Sequence, residues 1–422
     1  MFKEREKNLI LKLPFGFRDI FPVEAHERKE IEDILRSEFL GWGYGEVKTP
    51  VVEFTENLSA GAGQGWKDKL ISFFDNDGNI ISLRSDMTVP IARLAGMRLK
   101  KEQLPARFFY FANSFRQSDI QKGRKRVVSQ AGLEFIGSGG FTSDIEILSI
   151  LMNILSSLKI SDFRVAIGNI LFVEGMSEWL GFDSAGFKTL RSGLLKKDLV
   201  LLEHLLAETE KEKTKLFFEL IKPSEDIKEL KKLCSRSGNK KMISSFDYIA
   251  EIHDMCVSAG FSANLIIDLG IVRDFDYYSG MIFEAYCPRI TELLGSGGSY
   301  DGLVKKFGLS VSGTGFALDM DILHKALKDS YTYSDVSKKK IILISETKDC
   351  RNALKLAGDL RKKGHLVELF FAGHEDPKEL CCLRKAGFVY IADFNNKEAE
   401  VLEFSNDYKS VNTKRIKLEI GK

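Results

Sequence analysis

Residues 115–137 read FRQSDIQKGRKRVVSQAGLEFIG, and no other stretch restricts the fold as strongly. Arg116 ends an apolar strand-like run, a polar loop follows, and a second strand carries Gln130 and Glu134. Side chains of a strand alternate between its faces, so a spacing of four puts Gln130 and Glu134 on the same face. The segment LRSDMT offers a second set, with Arg84, Asp86 and Thr88 expected on alternate positions of another strand. Together they would gather carboxylates, an amide and a hydroxyl at one pocket. From residue types alone, an ordinary solvated sheet face laced with salt bridges fits equally well.

The remaining pattern supplies helices around such a sheet. Ile31, Ile34, Leu35 and Phe39 recur at helical spacing, and Gly41 follows where a helix stops. Strand-like runs at 80–83, 106–111 and 132–136 precede a long helix over 143–157. Helices and strands mix here without a repeating strand–helix–strand rhythm, which predicts an α+β class rather than a doubly wound sheet. Between 175 and 260 the composition turns to Leu- and Lys-rich helical segments, such as 193–210 and 213–221, and this reads as a helical insertion. Strands return at 265–269, 281–287 and 315–318, so 1–174 and 261–328 read as one interrupted domain. Past the polar stretch SYTYSDVSKKK, strands and helices alternate, predicting a small α/β domain over 336–422.

Composition narrows the function classes. The 422 residues are 44% hydrophobic and 29% charged, as in folded globular chains of two or three domains. Lys and Arg total 62 against 60 Asp and Glu, so no global field attracts a polyanion such as tRNA. The basic cluster Lys414, Arg415 and Lys417 reads as a solvated edge. Cys234, Cys256, Cys287, Cys350, Cys381 and Cys382 form no CxxC pair and have no His at zinc-ligand spacing. Reduced, buried thiols are expected, with no metal and no disulfide framework. The opening MFKEREKNLILKLPFGFRDIFP fits neither a signal peptide nor a membrane span, so a cytoplasmic protein without a membrane partner is expected.

Several ordered segments resemble one family. The arginine–loop–strand unit resembles motif 2 of class II aminoacyl-tRNA synthetases, and its surroundings resemble the histidine-specific branch. LPFGFRDIFP is similar to that branch's opening, LRSDMTVPIAR to its amino-group-binding strand, IVRDFDYYSGMIFEAY to its histidine-recognition strand, and GSGGSYDGLVKKFG to the glycine-rich segment beside it. The resemblance implies an antiparallel-sheet core with helices and a histidine-binding pocket. That pocket maps onto Asp86 and Thr88 for the ammonium group and onto Gln130, Glu134 and Tyr278 around the imidazole, with Tyr277 a further histidine-binding residue and Arg116 and Arg273 at the family's arginine positions. The 336–422 segment resembles a shortened anticodon-binding domain.

Departures from the family pattern fall on the nucleotide side. Gln117 and Ser118 stand where the motif 2 arginine is followed by His-Glu. In GTGFALDMDIL, Ile322 takes the place of the motif 3 arginine, and Asp319 replaces a glycine beside the expected ATP. An isoleucine cannot bind phosphate, and an added carboxylate repels it. A retained histidine pocket beside a broken ATP site is similar to the paralogous regulatory subunits of ATP phosphoribosyltransferase. That likeness implies no catalytic residues, no cofactor and no role for tRNA. It implies a short-form catalytic subunit as partner in the first step of histidine biosynthesis. L-Histidine would act as effector, at the old pocket or at the contact with the catalytic chain. A dimer through 31–52 within a hetero-oligomer is also expected. The alternative is a divergent histidyl-tRNA synthetase.

Overall fold

The computed structural model describes residues 12–117, 125–160, 162–261, 264–328, 331, 340–346, 350–371, 376–405 and 410–418. Ser118 and most of the expected linker at 330–340 lie outside them. Two compact units divide the chain, Met1–Tyr331 and Thr332–Lys422.

The first unit is built on an eight-stranded sheet of order β1-β5-β6-β11-β10-β9-β7-β8. Its members are β1 (Gly45–Glu46), β5 (Ala106–Phe115), β6 (Val127–Ile136), β7 (Arg164–Asn169), β8 (Leu265–Ile267), β9 (Met281–Tyr286), β10 (Leu293–Ser299) and β11 (Gly313–Asp319). The six central strands pair antiparallel, and only the flanking pairs β1/β5 and β7/β8 are parallel. This is the antiparallel-sheet core with helices that the sequence predicts for an α+β fold. A smaller sheet joins β2 (Val52–Phe54), β3 (Ser72–Phe74) and β4 (Ile80–Leu83) in the order β2-β4-β3.

Helix α1 (Pro22–Gly41) begins with a proline, which a first turn tolerates because its N–H would have no intrahelical partner. Ile31, Leu35 and Phe39, each four residues apart, bury one face. Helices α2 (Thr55–Ala62) and α3 (Thr88–Arg98) pack together, Val89 against Gly61, and α4 (Phe141–Ser157) buries Ile147, Leu148, Ile150 and Leu151. Then come α5 (Ile170–Leu180), α6 (Ser184–Lys196), α7 (Leu199–Leu205), α8 (Lys211–Leu220), α9 (Ile227–Ser237) and α10 (Lys240–Cys256), with α11 (Met320–Leu327) closing the unit.

One expectation changes here. The single helix expected over 193–210 is broken, because Lys197 adopts a left-handed backbone with φ 52° and Asp198 caps α7 by accepting from the Leu201 N–H. The helical insertion also touches the sheet once, through an isolated bridge from Ser224 to Ile267.

One charged cluster ties distant segments together. Arg18, Arg28 of α1 and Lys125 before β6 converge on Asp321 of α11, with Arg18 at 3.1 Å and Lys125 at 2.5 Å. Burial pushes the Asp321 carboxyl up, but the Lys125 and Arg28 hydrogen bonds and charges outweigh it and hold the group at about 2. The unfolded chain releases this proton at an ordinary carboxyl value, so the stabilisation is complete above that value and is lost as pH falls towards 2. Asp321→Asn leaves three cations with a weakened acceptor and costs about 2 kcal/mol of stability, read by denaturant unfolding.

The second unit is a five-stranded sheet of order β13-β12-β14-β15-β16, with β12 (Lys340–Ser345), β13 (Leu366–Phe371) and β14 (Phe388–Asp393) parallel. The connecting helices are α12 (Cys350–Lys362) and α13 (Pro377–Arg384), and β15 (Glu398–Phe404) and β16 (Val411–Lys417) complete the sheet antiparallel. On the exposed strand β16, Arg415 faces Glu400 and Lys417 faces Glu398. All six cysteines are free, and Cys350 and Cys382 are exposed where buried thiols were expected, each standing on a solvated part of its helix. Among the described residues no helix is long and apolar enough to cross a membrane, and no cluster of potential metal ligands occurs.

Candidate functional site

The centre of the site is the β6–β11 ladder, which sets Gln130 opposite Asp319 and Glu134 opposite Gly315. A side chain at 315 would collide with the Glu134 carboxylate, so glycine there lets the two strands approach. Gly298 of β10 does the same for the Tyr278 ring.

Asp86 and Thr88 reach the site differently from expectation. β4 ends at Leu83, Asp86 lies in the loop beyond it, and Thr88 opens α3. Pro90 sits in the first turn of that helix, where its missing N–H is not needed. Arg84 is anchored elsewhere, donating to the backbone carbonyls of Asn113, Thr49 and Pro50. It supports the loop and does not line the site.

A cavity of about 190 Å³ brings together Asp86, Thr88, Arg116, Gln130, Arg273, Tyr277 and Tyr278. Glu134 sits beneath, accepting from Thr88 Oγ1 at 2.7 Å and from the Tyr300 hydroxyl. Burial pushes its carboxyl up to about 8, against the pull of those two hydrogen bonds. Asp86 Oδ2 accepts from Tyr277 Oη at 3.2 Å, whereas Oδ1 has no partner. Burial raises this carboxyl to about 6, opposed by the charge of Arg116. Gln130 Oε1 is also buried and unpartnered. Unmet buried acceptors cost on the order of 1–3 kcal/mol each, and a ligand carrying donors removes that cost.

The cationic wall is fixed by stacking. Trp66, in a 3-10 turn at Gln64–Lys69, lies flat on Phe275 with centroids 4.2 Å apart, and Phe275 stacks on Tyr277 at 5.0 Å. The Arg116 guanidinium sits 5.0 Å from the Trp66 ring centre and donates through Nε to Ser85 O at 3.0 Å. Arg273 pairs with Glu284 of β9 at 2.5 Å, and its Nε is unpartnered. Burial raises the Tyr278 hydroxyl to about 12, with Arg273 opposing.

Four participants escape the sequence reading of the site: Trp66, Tyr300, Glu284 and Phe275. Tyr300, Phe275 and Glu284 lie within segments that carry the family resemblance, GSGGSYDGLVKKFG and IVRDFDYYSGMIFEAY, and that was their only signal. Asp319, read as a nucleotide-side change, lines the same cavity. Its Oδ1 accepts from the Asp321 and Ile322 N–H groups, capping α11, and burial followed by the Asp321 charge raises its carboxyl. Ile322 is buried, and Gln117 is exposed beyond β5.

The antiparallel strand order and the polar, amino-acid-sized cavity beside β6 and β11 define a class II synthetase-like core. The family model for histidyl-tRNA synthetase matches residues 16–323. The chain is 35% identical to the ATP phosphoribosyltransferase regulatory subunit of Moorella thermoacetica, over 86% of this chain and 92% of that one. Its identity to the protein of that name from Clostridium botulinum is 32%, over 92% of each. The chain therefore belongs to the family of ATP phosphoribosyltransferase regulatory subunits. A Bacillus halodurans crystal structure described as an ATP phosphoribosyltransferase regulatory subunit/histidyl-tRNA synthetase superposes with a TM-score of 0.77 at 28% identity, covering 89% of this chain and 97% of that one. Histidyl-tRNA synthetase from Nostoc shares the fold, with a TM-score of 0.77 at 20% identity over 96% of each chain.

Proposed function

We propose that this chain is the non-catalytic regulatory subunit of ATP phosphoribosyltransferase, working with a short-form catalytic subunit in the cytoplasm and sensing free L-histidine in the 190 Å³ cavity. One observation carries the reading: the histidine-type groups Asp86, Gln130, Tyr277 and Tyr278 line the same cavity as Asp319, a carboxylate where a nucleotide would need close approach. In this arrangement Asp86 neutralises the ligand ammonium, and Arg116 and Arg273 take its carboxylate. Glu134, Gln130 and Tyr278 supply hydrogen bonds to the imidazole.

Histidine binding then shifts the complex towards an inhibited state, which by linkage must bind histidine more tightly than the active one. The core self-associates through 31–52, where Leu40, Trp42 and Val51 are exposed. Mixing the chain with a short-form catalytic subunit, phosphoribosyl pyrophosphate and ATP is expected to produce phosphoribosyl transfer that neither chain gives alone, and L-histidine lowers it. Equal transfer by the catalytic subunit alone would remove the regulatory role.

A further inference from the structure

The helical insertion meets the segment 265–277 at three points. Ser224 bridges to Ile267, Ile221 packs on Gly270, and Arg191 of α6 reaches residues 273–276. The third point lies beside the histidine cavity, because Arg273, Phe275 and Tyr277 line it. Among the described residues, α6 itself contributes nothing to that lining.

Residues 274–277 alternate in burial. Phe275 and Tyr277 are buried in the Trp66 stack, whereas Asp274 and Asp276 are exposed. The two carboxylates are held by different elements. Lys69, in the 3-10 turn that carries Trp66, pairs with Asp274 at 2.5 Å, and Trp66 Nε1 donates to Asp274 O at 3.3 Å. Arg191 takes Asp276 through Nη1, which donates to Oδ1 at 2.5 Å, while Nη2 donates to the carbonyls of Arg273 and Phe275 at 2.8 and 2.9 Å. One planar guanidinium therefore fixes the backbone on both sides of Asp274. The carbonyls it grips belong to the residues that supply a cation of the cavity and the ring on which Trp66 lies. Bonds from a charged donor are the stronger kind, and the compact ammonium of a lysine has no planar fork to spread over these three acceptors.

We infer that Arg191 is a positioning residue for histidine binding, tying the helical insertion to the loop that shapes the histidine cavity. The inference rests on that cavity being the histidine site. Arg191 does not line the cavity; it holds Arg273, Phe275 and Tyr277 in the arrangement that the ligand meets. By linkage, a ligand that favours this arrangement must in turn steady α6.

Calorimetry with L-histidine on the full chain tests it. Arg191→Ala should weaken histidine about tenfold, and Arg191→Lys nearly as much. Methylguanidinium should restore most of the affinity of Arg191→Ala and methylammonium should not, a selectivity that general destabilisation does not give. Amide exchange in 184–196 should slow when the unaltered chain binds histidine, and should not respond in Arg191→Ala. Trp42→Phe and Trp179→Phe leave Trp66 as the one tryptophan. In that background, without ligand, Arg191→Ala should shift its emission to the red and raise its quenching by acrylamide. Unchanged histidine affinity in Arg191→Ala overturns the inference, as does a loss that methylguanidinium does not selectively restore. If the unaltered chain binds no histidine, the reading of the cavity fails and Trp66 decides the rest: emission and quenching that Arg191→Ala leaves unchanged overturn the hold of Arg191 on the loop. If Arg191→Ala does not fold, Arg191→Lys carries the affinity and fluorescence comparisons.

Discussion

Glu134→Ala is expected to lower the affinity for L-histidine by about a hundredfold or more, with the chain still folded. The carboxyl is 1% exposed and holds the Thr88 and Tyr300 hydroxyls together beneath the cavity. Removing it orphans two buried donors and deletes an acceptor for the imidazole, and each buried donor left unsatisfied costs roughly 1–3 kcal/mol. Calorimetry on the variant measures the loss. Unchanged affinity together with unchanged feedback would move the effector site to the contact with the catalytic subunit.

Protonation of the same carboxyl gives a second reading. Burial raises it from 4.5 to about 8, so across that interval the folded chain holds a proton that the unfolded chain releases. Stability attributable to Glu134 is therefore greatest below the unfolded value and falls as pH rises towards 8, at a slope approaching about 1.4 kcal/mol per pH unit. Glu134→Gln, which cannot ionise, should flatten that slope in denaturant unfolding followed from acid to mildly alkaline pH.

What the sequence disclosed, and what it hid, follows the range of the interactions. Gln130 and Glu134 were readable because strand alternation is a local rule, and both lie on β6 with their register partners across β11. Ile31, Leu35 and Phe39 were readable for the corresponding helical reason. The same local rule failed for Arg84, Asp86 and Thr88. Their alternate spacing looks like a strand, but β4 ends at Leu83 and Thr88 begins a helix. Pro90 was the available signal, since proline fits a first helical turn and not a central strand. Tyr300 lies 166 residues from Glu134 and Trp66 lies 209 from Phe275, and no periodicity reports a contact made by folding across such separations. Asp319 shows a further limit. Its change from the family glycine was visible, yet its role as the cap of α11 appears only once the helix start is known.

The chain is expected to give no histidine-dependent ATP–pyrophosphate exchange above background. Exchange needs a cation on the terminal phosphates and open backbone where ATP lies close. At those positions the chain has a buried isoleucine, Ile322, and a cavity-lining carboxylate, Asp319. Loss of one preorganised phosphate contact costs roughly 10²–10⁴-fold in rate, and a carboxylate beside a polyphosphate adds repulsion on top. Ile322→Arg alone should not restore exchange. Asp319 would remain in the cavity, held by the N–H groups of Asp321 and residue 322. Glycine at 319 would remove the repulsion and, with it, the α11 cap, at a cost of a few tenths of a kcal/mol to about 1 kcal/mol. Incorporation of labelled pyrophosphate into ATP at a rate typical of synthetases would instead make this chain a divergent histidyl-tRNA synthetase, with Arg116 and Arg273 carrying the phosphates between them.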